Sequence, residues 1–234
     1  MLNSQNVERT EIRPNVLLPT KPPKKVILTD VDGVLTSWQS NLPYFLKECR
    51  LPIPDALLDC IHSEKWIKPN EIFLNSDGST MSHERAMSLL DEYNESDHIQ
   101  YLPAYHDAIS VINRLKDDYD FIAISALSDT STAWSNRMYN LNTLFPNAFR
   151  ELHLSGSMQS KEELFESVIA DVGVSNVVCY IDDLSSHLDD YVRAWNVTTN
   201  SSPVVFQMNR RLQTPNASNH VIQVSNWNDI EKYL

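Results

Sequence analysis

Short apolar runs, rich in β-branched residues and free of polar alternation, recur along the chain at 26–29, 121–124, 177–181 and 204–206. Weaker runs lie at 151–154 and 221–224. Side chains alternate faces along a strand, so a run that is apolar at every position predicts a strand buried on both faces of a parallel sheet. Between these runs the apolar spacing changes to three and four. In 105–116, Ala108, Ile109, Ile112 and Leu115 share one helical face, in 161–171 Leu164, Phe165, Val168 and Ile169 do, and 227–234 is a third such segment. Strand alternating with helix predicts an α/β fold, a Rossmann-like parallel sheet with right-handed crossovers.

The rhythm breaks between residues 38 and 100. That interval holds helix-like stretches at 42–48, 55–61 and 83–93 but few β-branched runs, so it reads as a small, mainly helical insertion after the first strand. Residues 1–24 are polar and punctuated by proline, which suits an arm leading into the first core element. The expected organisation is therefore an arm at 1–24, a core domain at 25–37 and 101–234, and an insertion at 38–100.

A chain of 234 residues that is 42% hydrophobic can bury roughly 70% of the surface its unfolded form exposes, enough for a compact core. Cys49, Cys60 and Cys179 are odd in number and widely spaced. They form neither a disulfide framework nor a four-thiolate zinc site and point to a reducing, cytoplasmic setting. No uninterrupted apolar run of about 18 residues and no apolar leader segment is present, so neither a membrane span nor a signal peptide is expected. Nineteen basic against 31 acidic residues give a charge of -12, which opposes extended nucleic-acid binding and favours metal ions or cationic partners. The four glycines form no glycine-rich phosphate loop, and the seven histidines show no zinc-binding spacing.

The chemistry concentrates in Asp30-Val31-Asp32-Gly33-Val34-Leu35-Thr36, directly after the first predicted strand. Ligands of open α/β sheets bind at the carboxyl ends of the strands. Residues two apart on extended backbone project the same way, so Asp30 and Asp32 can serve one reacting centre, one as nucleophile and one as acid and base. Gly33 lets the chain turn away at once. An acidic turn closing a strand is the plainer alternative. A second carboxylate pair, Asp182-Asp183, follows the run at 177–181, where it suits a magnesium site or the cap of a following helix.

The motif from Asp30 to Thr36 resembles the first motif of the haloacid dehalogenase-like (HAD) phosphohydrolase superfamily. The resemblance implies that Asp30 attacks phosphorus to form an aspartyl-phosphate, and that Asp32 protonates the leaving oxygen and then activates water. It also implies a hydroxyl at the end of the second core strand, met by Ser125 with Ser128 and Thr130 as competitors, and Ala126 beside it in the phosphoryl site. A lysine at the start of a later helix is met by Lys161, expected to matter more for chemistry than for stability. Magnesium would be held by Asp30, the backbone carbonyl of Asp32, and Asp182, with Asp183 in support. Asp189 and Asp190, farther on, read as solvated helix charges.

In this superfamily an insertion at 38–100 is a C1 cap. Its helical pattern, the Asp-x-Asp-Gly-Val-Leu start, Trp38 soon after it and the Ile181-Asp182-Asp183 motif resemble 5'(3')-deoxyribonucleotidases. The second motif departs from theirs, with Ser125-Ala126-Leu127 where those enzymes usually show Thr-Ser-Pro. Trp38, Tyr44, Phe45, Trp66 and Phe73 either stack on a substrate base or form the insertion's own core; Trp38 and Gly33 are the expected substrate contacts. The implied activity is a magnesium-dependent phosphomonoesterase acting on a small phosphorylated metabolite, with a nucleoside monophosphate first. The alternatives are a polynucleotide end phosphatase, for which the 21–25 arm and Arg210-Arg211 offer clustered positive charge, and a non-catalytic HAD-fold binding protein.

Overall fold

The computed structural model describes residues 24–63, 68–210, 215–216, 218 and 220–234. The expected arm up to residue 23, Trp66 and Arg211 lie outside them. Six strands form one parallel sheet: β1 (Lys25–Thr29), β2 (Tyr119–Ser125), β3 (Phe149–Leu154), β4 (Val177–Asp182), β5 (Val205–Met208) and β6 (Val221–Val224), in the order β3-β2-β1-β4-β5-β6. Each predicted run became a strand. The order reverses between β1 and β4, and that reversal opens a crevice at the carboxyl ends of the two central strands.

Nine α-helices accompany the sheet among the described residues. They are α1 (Leu42–Glu48), α2 (Asp55–Ser63), α3 (Pro69–Ile72), α4 (His83–Glu95), α5 (His106–Leu115), α6 (Ser131–Leu144), α7 (Glu162–Val172), α8 (Ser185–Thr198) and α9 (Trp227–Glu231). Alternate strand residues feed two cores, as the pleat requires. Ile27, Phe121, Ala123 and Ile181 pack with α5, α6 and α9, and Val26, Leu28, Ile122 and Tyr180 pack with α7 and α8. None of these helices is long and apolar enough to cross a membrane.

The chain leaves the sheet after β1 and returns beside its own exit. Thr36 pairs with Ala104, the Ser37 N–H donates to Pro103 O, and the Tyr105 N–H donates to Leu35 O. Between these stems α1 to α4 gather around a third apolar cluster that includes Leu42, Phe45, Leu46, Phe73, Leu89 and Tyr93, with Leu127 and Leu154 joining it from the core side. The insertion is helical, as expected.

Helix α6 had no counterpart in the sequence reading. Its buried positions, Ala133, Asn136, Arg137, Asn140 and Leu141, keep helical spacing, but three of the five are polar. No apolar stripe marks it, because the groups it faces are backbone carbonyls and a carboxylate rather than hydrocarbon. Asn136 Nδ2 donates to the carbonyls of Glu95 and Ser96, and Asn140 Nδ2 to those of Gln100 and Leu102. The helix therefore ties the returning stem of the insertion to the sheet.

Candidate active site

Asp30 stands at the end of β1, with its N–H donating to Ile181 O of β4, so the strand reversal itself delivers Asp30 and Asp182 to one place. Lys161, immediately before α7, is fully buried between them. Its Nζ lies 2.7 Å from Asp30 Oδ1 and 2.8 Å from Asp182 Oδ2. Asp182 is further held by the Tyr180 hydroxyl, by His187 Nδ1 at 3.2 Å and by the Leu184 N–H at 2.8 Å. That last bond is a local turn and not a helix cap, since Leu184 is the N-cap of α8 and no side chain caps it. The Asp183 carboxylate receives no hydrogen bond from another described residue, while its backbone carbonyl accepts Gln207 Nε2 at 3.0 Å. Acceptor oxygens of Asp30, Asp182 and Asp183 all lie within 4.8 Å of one another.

The electrostatics follow from this crowding. Burial pushes the Asp30 carboxyl up to about 7, with Asp182 and Asp32 adding to the shift and Lys161 and His187 opposing it. Burial, then Asp182 and Asp30, push Asp183 well above the usual carboxylate range. Burial would raise Asp182 too, but the Lys161 and His187 charges outweigh it and hold Asp182 below its ordinary value. Desolvation disfavours the Lys161 cation, yet the same two carboxylates hold its proton above the ordinary lysine range. One ammonium thus serves three carboxylates. The hard oxygen donors, the excess negative charge and the unpartnered Asp183 fit a magnesium ion.

Asp32 lies outside this trio. Its carboxylate, 22% exposed, accepts from Arg137 Nη2 at 2.7 Å to each oxygen and from Thr36 Oγ1 at 3.1 Å. Gly33 follows with φ +79°, and a Cβ there would lie 2.6 Å from Asp183 Oδ2. The position therefore needs glycine both for its left-handed backbone and for the close approach of a carboxylate.

A cleft of about 350 Å³ opens over these groups. Asp30, Asp32, Gly33, Ser125, Ala126 and Asp183 line its sheet end. Trp38, Pro69, Ile72, Leu90 and Asn94 line the insertion side. Of the three candidate hydroxyls only Ser125 faces the cleft, and it makes no side-chain hydrogen bond among the described residues. Ser128 donates to Glu95, and Thr130 caps α6 through the Ala133 N–H. Trp38 does two jobs. It borders the cleft while its ring packs edge-on against Tyr93 and its Nε1 donates to Asn94 Oδ1 at 3.0 Å. Phe45 and Phe73 belong to the insertion's own core, and Tyr44 is exposed.

A 32.4 kDa protein of Enterobacteria phage T4, from the Gp30-rIII intergenic region and uncharacterized, is 43% identical over 211 residues, which are 90% of this chain and 70% of the phage protein. The chain belongs to the family of that protein. No family model matches the chain. Among solved structures, the HAD-like hydrolase SP0104 of Streptococcus pneumoniae superposes with TM-score 0.58 at 15% identity, over 90% of this chain and 99% of that one. Bacillus subtilis YfnB, determined with bound magnesium, gives 0.57 at 14% over 91% and 99%. The L-2-haloacid dehalogenase PA0810 gives 0.53 at 14% over 90% and 99%. The fold of this family member is HAD-like.

One expectation needs correction. Asp190 is not a solvated helix charge: it is buried, and its Oδ2 accepts the Lys161 backbone N–H at 2.9 Å and the Ser160 hydroxyl at 2.9 Å. It thereby fixes the segment that carries Lys161, while Asp189 is exposed as expected. Arg210, named only as clustered charge open to the end-phosphatase alternative, is spent within the fold. Its guanidinium pairs with Asp107, donates to Gly33 O and Val34 O, and stacks 3.7 Å from the Tyr105 ring centroid. The sequence reading also missed Arg137, Tyr180 and His187. Two of these had a sequence signal: Tyr180, two residues before Asp182 on the same strand face, and His187, five residues beyond it on the first turn of a helix.

Proposed function

We propose that this protein is a magnesium-dependent phosphomonoesterase that works through an aspartyl-phosphate on Asp30. The observation that carries the proposal is the placement of Asp30: one oxygen is held by Lys161, two further carboxylates stand within metal-sharing distance, and a cleft opens above. An oxygen of Asp30 attacks phosphorus, the bond from phosphorus to the organic oxygen breaks, and that oxygen leaves with a proton from Asp32. Water then gives its proton to Asp32 and attacks the phosphorus, which releases inorganic phosphate and restores Asp30. Asp30, Asp182 and the Asp32 carbonyl, with Asp183 in support, would hold magnesium, which would supply positive charge for the phosphoryl oxygens. The Ser125 hydroxyl adds a donor to the same group with Ala126 beside it on the cleft wall, and Lys161, buried outside the cleft lining, acts through the Asp30 and Asp182 carboxylates it bonds.

The leaving group would rest against the insertion, which acts as a C1 cap. Trp38, Ile72 and Leu90 give this side an apolar wall and Asn94 a polar point, a combination suited to a small metabolite such as a nucleoside monophosphate. Displacement of halide from a 2-haloacid is the competing reading raised by the dehalogenase neighbour. Expelled halide needs no proton, so Asp32 would serve only the ester hydrolysis, and the carboxylate trio would have no metal to hold. A polynucleotide end phosphatase loses Arg210 to its ion pair, and a non-catalytic binding protein has no use for a buried lysine beside a nucleophile. The test is phosphate release from nucleotides, sugar phosphates and phosphorylated oligonucleotides, with and without magnesium. Magnesium-dependent release from small monoesters is the expected result; release from none of them by folded protein would overturn the reading.

A further inference from the structure

The first motif leaves unexplained the arginine behind its second aspartate. Arg137 sits in the middle of α6 with its side chain 0% exposed. Nη2 reaches both oxygens of Asp32, Nη1 reaches Thr36 Oγ1 at 3.4 Å, and Nε is buried with no partner. A buried guanidinium with one carboxylate partner and an orphaned N–H is a poor way to stabilise a core, where an apolar side chain of similar volume does as well or better. Arg137 is absent from the residues that line the cleft. Whatever it does for a ligand, it does through Asp32.

We propose that Arg137 is a positioning residue that fixes the Asp32 carboxylate for proton transfer, an inference that rests on the phosphatase reading above. Both proton transfers of that reaction pass through Asp32, and each requires an oxygen held within hydrogen-bond reach of the reacting atom. Asp32 is partly exposed and follows a strand end, so its side chain would otherwise sample several rotamers. Arg137 and Thr36 together remove that freedom. Arg137 is itself fixed, because Asn136 and Asn140 on the same helix bond the carbonyls of the returning stem of the insertion.

The experiment is a double-mutant cycle on the magnesium-loaded protein with an alkyl phosphomonoester that the wild type hydrolyses, comparing wild type, Asp32→Asn, Arg137→Met and the double variant. Arg137→Met is expected to lower kcat on the order of 100-fold, the lower range for loss of acid–base catalysis, while KM changes little. In the Asp32→Asn background the same change should alter kcat by less than about twofold, since the group it positions is gone. Thermal unfolding gives a second readout: Asp32→Asn strands a buried cation and should melt below the double variant, which has neither charge. Arg137→Lys, which keeps the charge but not the reach to both partners, should recover only part of kcat. Multiplicative losses in the double variant, or wild-type kcat in Arg137→Met, would overturn the proposal while leaving the phosphatase reading in place. A wild type inactive on every monoester would overturn that reading first.

Discussion

Lys161 bridges two carboxylates in a place that water does not reach, so it carries a chemical and a structural role together. The sequence suggested a mainly chemical role, but full burial between Asp30 and Asp182 adds a structural one. Lys161→Ala should lower kcat by about 100-fold or more and also destabilise the metal-free protein by about 3 kcal/mol or more, the cost of stranding buried charge. Steady-state rates and urea melts check the two parts. Asp30→Asn, with nearly unchanged volume, should abolish turnover and keep the native circular dichroism spectrum; near wild-type activity would remove Asp30 as nucleophile. Gly33→Ala brings a Cβ to 2.6 Å from Asp183 Oδ2 at φ +79°. The strained backbone alone costs roughly 1–2 kcal/mol, and the displaced Asp183 should weaken magnesium binding, read by calorimetry. Unaltered stability and affinity would mean that the loop simply shifts.

At the scale of elements, the loop after β1 is held from the far side of the sheet. Arg210, just beyond β5, bonds Gly33 O and Val34 O, and Asp107 at the start of α5 joins Arg210 to the Trp227 N–H at the start of α9. Burial alone would raise the Asp107 carboxyl, but the Arg210 and Trp227 hydrogen bonds outweigh it and the folded value lies below the ordinary one. A depressed carboxyl contributes stability in full above its unfolded value, near 3.9, and loses it as pH falls toward the folded value. The melting temperature of the wild type should therefore fall more steeply between about pH 5 and pH 3 than that of Asp107→Asn. Parallel acid limbs would show that the clamp contributes nothing.

For the whole molecule, Lys161 offsets Asp30 and Asp182 but bonds no oxygen of the nearby Asp183, so the trio keeps room for a second cation. Magnesium at about a hundred times its dissociation constant should add about 2.7 kcal/mol of stability. For a chain of this length that is a rise of roughly 5–10 °C in Tm. Thorough chelation should remove both the rise and the activity, and Asp183→Asn should blunt the rise. A Tm and a rate indifferent to chelation would exclude the metal.

Six strands, the helical insertion and the carboxylates Asp30, Asp32, Asp182 and Asp183 were legible from the chain itself, whereas Ser125 and Lys161 stood out only through the resemblance to the HAD superfamily. Buried parallel strands write themselves as unbroken apolar runs, and groups at strand ends occupy fixed places in such a sheet. Helix α6 was not legible, since an element that faces carbonyls and a carboxylate carries Asn and Arg where a hydrophobic pattern would show it. The partners of the motif were hidden for a related reason. Arg137, Asp190 and Arg210 lie 105, 29 and 177 residues from the groups they bond, and a polar residue in a sequence looks the same whether it meets water or a buried charge. Which of them it meets is decided only when the chain folds, because a buried ion demands its counter-ion wherever in the sequence that lies.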